Sequence, residues 1–458
     1  MINERFIEYF RDTFFQDKPE ELEQFLTSIE KSIPRTIRIK PGKVEQIKNN
    51  LEGDGWILTP TNIDRVFSMD RREDFNPLER RLGFSSDHLL GNFYIQELAA
   101  AHPVDILANS QINSESFLIL DMAASPGGKT TQLAEYFPNS YIIANEPTRE
   151  RLPQLLQNLE RMGSANIWIT LYPGQLYRHR SELFDRVLLD APCSGEWTLF
   201  KGTDAVKHWH LKNIKEISRL QTKLLDAGLH TLKVGGEMIY STCSLNLLEN
   251  EGVLEAMQEK YANAFDIIFQ KKFWPHIDGT GGFFVAKIRK LQSLERIQKN
   301  DNENENTEKE WRKSELKKQS DNNKELKLFR GNISPWNLRE NISLYEHANK
   351  ILAVRNSDIW SRILDDVFLM RYGEQIGVVE HGRFSTGNRA WRYLDTSETE
   401  RYTITDMQAL DTYLRGEPIT NTWEDRAVLV IYQEQILGLE YRKWDTISNT
   451  FSHEWRRK

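Results

Sequence analysis

Between residues 116 and 290 the chain alternates short apolar runs with longer stretches whose apolar residues recur every three or four positions. The runs are "SFLIL" (116–120), "YIIAN" (141–145), "NIWIT" (166–170), "DRVLLDAP" (185–192), "GEMIYST" (236–242) and "GGFFVAKI" (281–288). They are rich in β-branched and aromatic residues and have strand length. The stretches over 129–137, about 148–162 and about 211–233 have helical spacing. Strands that alternate with helices predict a mostly parallel sheet with helices on both faces, an α/β, doubly wound, Rossmann-like fold spanning 86–290.

The flanks read differently. "NERFIEYFRDTFF" and "PEELEQFLTSIEKSI" carry helical spacing, Pro34 stops the second, and "RTIRIK" alternates like a strand. Residues 1–85 are therefore expected to form an N-terminal α+β extension. Residues 291–328 hold nine acids, nine bases and six asparagines but no glycine or proline, which predicts a charged linker with little to bury. Short strands and turns return over 329–458, together with half of the twelve tryptophans, so a second α+β domain with much strand is expected there. Tryptophans in such a domain belong chiefly to its core.

"LILDMAASPGGKTTQLAEYF" (118–137) joins the first core strand to the first core helix. Its "GGKTT" has the ending of a P-loop, but that motif needs a glycine five positions before Gly128, and Ala123 stands there. What remains is a strand, the small turn Ala123, Ala124, Ser125, Pro126, Gly127, Gly128, and a helix beginning near Lys129. Low side-chain bulk lets backbone approach a ligand, and doubly wound sheets bind ligands beyond the carboxyl ends of their strands. Glu146 ends the next strand, eighteen residues past Gly128, where such folds hold ribose hydroxyls. A helix cap is the alternative for it. Asp190 ends "VLLD" and faces either a substrate or its own turn.

With 39% hydrophobic and 28% charged residues the composition suits a globular protein. No run of about eighteen apolar residues and no signal-like N-terminus occur, so neither membrane contact nor export is expected and the cytoplasm is the expected location. The net charge of −7 gives no general attraction to polyanions. Nucleic-acid contacts must come from local patches such as "RTIRIKPGK", "RRLGF" and "WRRK". There are two cysteines and no CxxC pair, so no metal is expected. Cys193 in "LLDAPCSG" and Cys243 in "IYSTCS" each close a core strand in a polar turn, on the same edge as "AASPGGK". Buried small hydrophobes are the alternative.

Two thiols, a carboxylate and a ribose-bearing cofactor suit one reaction. Carbon 5 of cytosine is a poor nucleophile until a thiolate adds to carbon 6, after which it attacks an electrophilic methyl group. A carboxyl near N3 accommodates the charge that develops on the ring. The target base has to be flipped or unpaired.

At "DMAASPGGKTT", "ANE" (144–146), "DAPCSGE" and "YSTCSLNLLENE" the chain resembles the NOL1/NOP2/Sun family of RNA (cytosine-5) methyltransferases, particularly bacterial members of the RsmF type. "GNFYIQELAA" (91–100) and "GGFFVAKI" match flanking family segments, and the resemblance covers about 30–290 strongly. More loosely, "YLRGEPI" and "LGLEYRKWDTISNTF" resemble a PUA-like RNA-binding tail. The resemblance implies S-adenosyl-L-methionine as cofactor, held by Ala123 through Lys129, Glu146 and Asp190. It implies Cys243 as nucleophile, Cys193 as the residue aiding product release, and RNA, foremost ribosomal RNA of the small subunit, as partner of a monomer. Lys201, Arg35 and Arg38 are the expected RNA contacts. A transfer RNA substrate and a catalytically silent RNA-binding assembly factor are the alternatives. Two departures stand out. Pro173 occupies a position where the family carries an acid near the adenine, which predicts one fewer cofactor hydrogen bond. Glu440 stands where related tails are basic, which predicts altered RNA docking.

Overall fold

The computed structural model describes residues 3–73, 82–109, 112–164, 166–196, 209–295, 327–328, 337–340, 342–347, 349–355, 369–380, 383–420, 427–432, 435–443 and 446–449. Most of the expected linker, Lys201 and the terminal "WRRK" lie outside them.

The N-terminal stretch forms two packing units. Helices α1 (Glu4–Phe14) and α2 (Pro19–Glu30) bury Phe6, Phe10, Phe15 and Phe25 against Trp209, Ile214 and Leu245 of the central domain. β1 (Arg35–Ile39), β2 (Trp56–Pro60) and β3 (Val66–Arg71) form an antiparallel sheet covered by α3 (Val44–Gly53). After α4 (Ser86–Leu89), β4 (Phe93–Ile95) pairs with β1, so this sheet runs past residue 85 into the segment before the central domain.

α5 (Leu98–Leu107) leads into the central sheet. Its strands are β5 (Leu118–Asp121), β6 (Tyr141–Asn145), β7 (Ile167–Thr170), β8 (Phe184–Asp190), β9 (Leu232–Thr242), β10 (Phe265–Phe273) and β11 (Phe283–Lys290), in the order β10-β11-β9-β8-β5-β6-β7. β7, β6, β5, β8 and β9 are parallel; β11 runs antiparallel to β9, and β10 pairs antiparallel with β11 and so points the same way as the other five. Leu118, Leu120, Val187, Leu189, Met238 and Tyr240 face α8 (Leu211–Thr231) and α9 (Glu251–Tyr261). Ile119, Ile142, Leu188 and Ile239 face α5, α6 (Gly128–Tyr136) and α7 (Leu152–Met162). Burial on both faces explains why these strands read as continuous apolar runs. The order reverses at β5, which puts a crevice at the carboxyl ends of β5, β6, β8 and β9. Among the described residues no helix is long and apolar enough to cross a membrane.

The C-terminal part contains a sheet of strands Lys327–Leu328, Ile342–His347, Lys350–Arg355, Glu374–Glu380 and Arg383–Thr386. A second sheet is built on Ala427–Tyr432 and Gln435–Lys443, with helix Met407–Leu414 nearby. The strand Leu369–Tyr372 leaves these sheets and pairs antiparallel with β7, extending the central sheet to eight strands. Trp391 packs against the core between these elements, the one tryptophan of this part among the described residues. Glu440 is fully buried and accepts hydrogen bonds from Asn388 Nδ2 at 2.5 Å and Tyr413 Oη at 2.9 Å. This corrects the expectation of a docking position: Glu440 satisfies interior donors and presents no charge to RNA.

Candidate active site

The turn from β5 to α6 begins with Asp121, whose side chain is buried. Gly127 adopts φ +105°, a conformation that favours glycine, and a Cβ there would stand 3.1 Å from Leu155 Cδ1 and press on that side chain. A cavity of about 250 Å³ opens beside it. Ala123, Ala124, Ser125, Pro126, Gly128, Lys129, Asp190 and Cys243 line this cavity, and Tyr94, Gln96, Glu97 and Phe283 complete much of its wall. The sequence places the last four in family-like flanking segments, but their local patterns assign them no site role.

Two buried carboxylate oxygens at neighbouring strand ends lack hydrogen-bond partners: Asp121 Oδ1 and Glu146 Oε2. The other oxygen of Asp121 accepts from Thr130 Oγ1 at 2.6 Å, and Glu146 Oε1 accepts from Thr148 N at 2.9 Å. Glu146 Oε2 also lies 3.3 Å from Arg151 Nη1. Buried acceptors are normally satisfied. An incoming ligand with ammonium and ribose hydroxyl donors fits this pair, as S-adenosylmethionine does. Pro173 begins the 3₁₀ turn Gly174–His179 after β7.

Burial raises the Asp121 carboxyl to about 7; the Thr130 hydrogen bond opposes this and nearby Asp190 adds to it. Because the folded value lies above the unfolded one, the stabilisation is fully present below about pH 4 and is lost as pH rises through about 7. The ligand-free protein is thus expected to lose thermal stability between about pH 4 and pH 7, with little further loss above that, and Asp121→Asn to flatten that component. Parallel melting curves for the two proteins across that range would remove Asp121 as its source.

Lys129 Nζ donates to Asp190 Oδ2 at 2.7 Å, and Ser241 Oγ donates to Asp190 Oδ1 at 2.9 Å. Burial works to lower the Lys129 value, but the charge and hydrogen bond of Asp190 prevail and raise it, so the ammonium persists. Lys129 thus faces Asp190 and the cysteine side of the cavity. Both cysteines are free thiols, with sulfur atoms 2.6 Å apart. Cys243 lines the cavity, and Cys193, though its sulfur is 2.6 Å away, is not among the lining residues. The contact with Cys243, burial and the Glu249 carboxylate push the Cys193 thiol well above the ordinary range, so Cys193 keeps its proton.

Of the residues expected to meet RNA, Arg35 is exposed at the start of β1 and is not among the residues lining the cavity. Arg38 is fully buried. Its guanidinium donates to Glu135 at 2.9 and 3.2 Å, to Gly128 O at 3.0 Å, to Thr131 Oγ1 at 2.9 Å and to Gln96 Oε1. This corrects the expectation: Arg38 anchors the start of α6 from behind and has no surface for RNA. The polar face of β1 packs on the central domain, so the alternating pattern marked an interface and not solvent.

Among the described residues no cluster of three or more His, Cys, Asp or Glu side chains is arranged to hold a metal ion. Residues 107–289 match the family described as 16S rRNA methyltransferase RsmB/F. A ribosomal RNA small subunit methyltransferase F of Shewanella piezotolerans is 31% identical over 447 residues, covering 91% of this chain and 89% of that protein. One of the same name from Aeromonas hydrophila is 35% identical over 60% of this chain, which spans only 61% of that relative's length. A crystal structure of a methyltransferase homologue from Pyrococcus horikoshii aligns with TM-score 0.53 and 28% identity, covering 62% of this chain and 94% of that one. Since similarity at this level runs along nearly the whole chain and the strand order and crevice agree with it, the protein belongs to the RsmB/F branch of the NOL1/NOP2/Sun methyltransferase family, as an RsmF-like bacterial member.

Proposed function

We propose that this protein methylates carbon 5 of a cytosine in small-subunit ribosomal RNA, through a transient bond between Cys243 and carbon 6. The reading rests above all on Cys243, which lines the same cavity as the Lys129–Asp190 pair and the cofactor turn. S-adenosylmethionine, the cofactor, supplies an electrophilic methyl group when bound; Asp121, the 123–128 turn and Glu146 would hold it.

The residues divide the remaining work. Cys243 attacks carbon 6 as the thiolate, and the electrons of the 5,6 double bond become available at carbon 5. Asp190, fixed by Lys129 and Ser241, would accept a hydrogen bond from the N4 amino group of the base and stabilise a proton taken up at N3 as the ring becomes electron-rich. Once carbon 5 carries the new methyl group its proton departs to a base, the double bond reforms and Cys243 is expelled. Cys193 aims a retained S–H at that leaving sulfur and stabilises it as a thiolate.

The test is mass spectrometry of nucleosides from small-subunit RNA of cells with and without the gene, followed by bisulfite mapping. One 5-methylcytosine position should disappear with the gene. An unchanged content overturns the reading, and a loss confined to transfer RNA overturns its substrate.

A further inference from the structure

Behind the two sulfur atoms lies a buried polar cluster that the reaction scheme does not use. Glu249, fully buried just before α9, accepts hydrogen bonds from both cysteine turns. From the first turn, Ser194 N donates to Oε2 at 2.8 Å and Ser194 Oγ to Oε1 at 2.5 Å. From the second, Ser244 Oγ donates to Oε1 at 2.9 Å and Asn246 Nδ2 to Oε1 at 2.7 Å. Gln221 of α8 donates to Oε2 at 2.9 Å and also to Pro192 O at 2.9 Å, holding the turn just before Cys193.

Glu196 repeats the arrangement from the opposite side. It accepts from Leu245 N at 2.8 Å, Asn246 Nδ2 at 2.8 Å and Trp209 Nε1 at 2.9 Å. Each carboxylate therefore links the turn after β8 to the turn after β9, which are some fifty residues apart in sequence. Five donors converge on Glu249, more than the about four lone pairs of a carboxylate, so three of them crowd one oxygen, Oε1.

We propose that Glu249 is the positioning residue that sets the register of the two thiols, holding the Cys193 S–H against Cys243 so that the covalent RNA intermediate can be released. The inference rests on the two-cysteine reading above and deepens it. Ser194 follows Cys193 and Ser244 follows Cys243, so one carboxylate grips both turns a single residue from each sulfur. The same carboxylate is among the groups that keep the Cys193 proton in place. A displacement of the order of 1 Å at such a contact costs about a hundredfold in rate.

The experiment uses full-length Glu249→Gln, Ser194→Ala and Cys243→Ala proteins with small-subunit RNA from cells lacking the gene. Glutamine keeps the volume but turns one acceptor into a donor facing other donors. Glu249→Gln is expected to bind S-adenosylmethionine like the parent, to lose about tenfold to a hundredfold in turnover with KM for RNA little changed, and to accumulate RNA adducts on denaturing gels. Ser194→Ala, which removes one of Glu249's side-chain partners, should show the same accumulation more weakly. A folded Glu249→Gln protein with parental turnover and adduct level overturns the proposal. If that variant fails to bind cofactor, Ser194→Ala decides: raised adduct supports the proposal and a parental level overturns it. Cys243→Ala separates the two readings, because adducts or methyl transfer surviving there would bring down the two-cysteine scheme itself.

Discussion

Cys243→Ala is expected to abolish methyl transfer to RNA, by on the order of 10⁴-fold or more, and with it every covalent adduct. Cys193→Ala is expected to form the adduct and stall there. The asymmetry follows from placement: Cys243 lines the cavity beside Asp190 and Lys129, whereas Cys193, its sulfur 2.6 Å from Cys243, is not among the lining residues and its thiol is pushed well above the ordinary range. Attack needs a sulfur that faces the base, and release needs a donor that faces the departing sulfur. Transfer of labelled methyl groups and denaturing gels measure both. If adducts accumulate in Cys243→Ala and vanish in Cys193→Ala, the roles are exchanged; if neither variant changes them, the covalent scheme fails.

Arg38→Ala is expected to destabilise the protein by about 3–5 kcal/mol, because it leaves the buried Glu135 carboxylate with only part of its compensation. Arg65 Nη1, at 3.2 Å, is its other ion-pair partner among the described residues. The substitution also frees the Gly128 carbonyl and Thr131, so the start of α6 loses its anchor and cofactor affinity falls with stability. Urea unfolding and calorimetry with S-adenosylmethionine measure the two effects. Arg35→Ala, at an exposed position of the same strand, should leave both within experimental scatter. Unchanged stability of Arg38→Ala together with weakened RNA binding would return Arg38 to the RNA surface.

Pattern alone brought several candidate residues to one edge of the sheet. The apolar runs of β5, β6, β8 and β9 are legible because both of their faces are buried, and their ends carry Asp121, Glu146, Asp190 and Cys243 to one edge. β10 escaped the same reading. As an edge strand it exposes most of "FDIIFQKKF", and its apolar residues follow no buried face. Arg38 departs from expectation for a related reason: strand alternation separates two faces but does not reveal whether the polar face meets water or another part of the protein.

The sequence by itself determined the alternating strands and helices, the glycine turn, and the pair of cysteines at strand ends, since each depends on residues close together in the chain. The resemblance, not spacing, separated the tasks of the two thiols. Only the tertiary structure decided that Cys243 and not Cys193 is among the residues lining the cavity, that Lys129 pairs with Asp190, and that Glu249 joins the two turns. Those relations are distances and burial between segments remote in sequence, and they come into being only when the sheet closes and its neighbours exclude water.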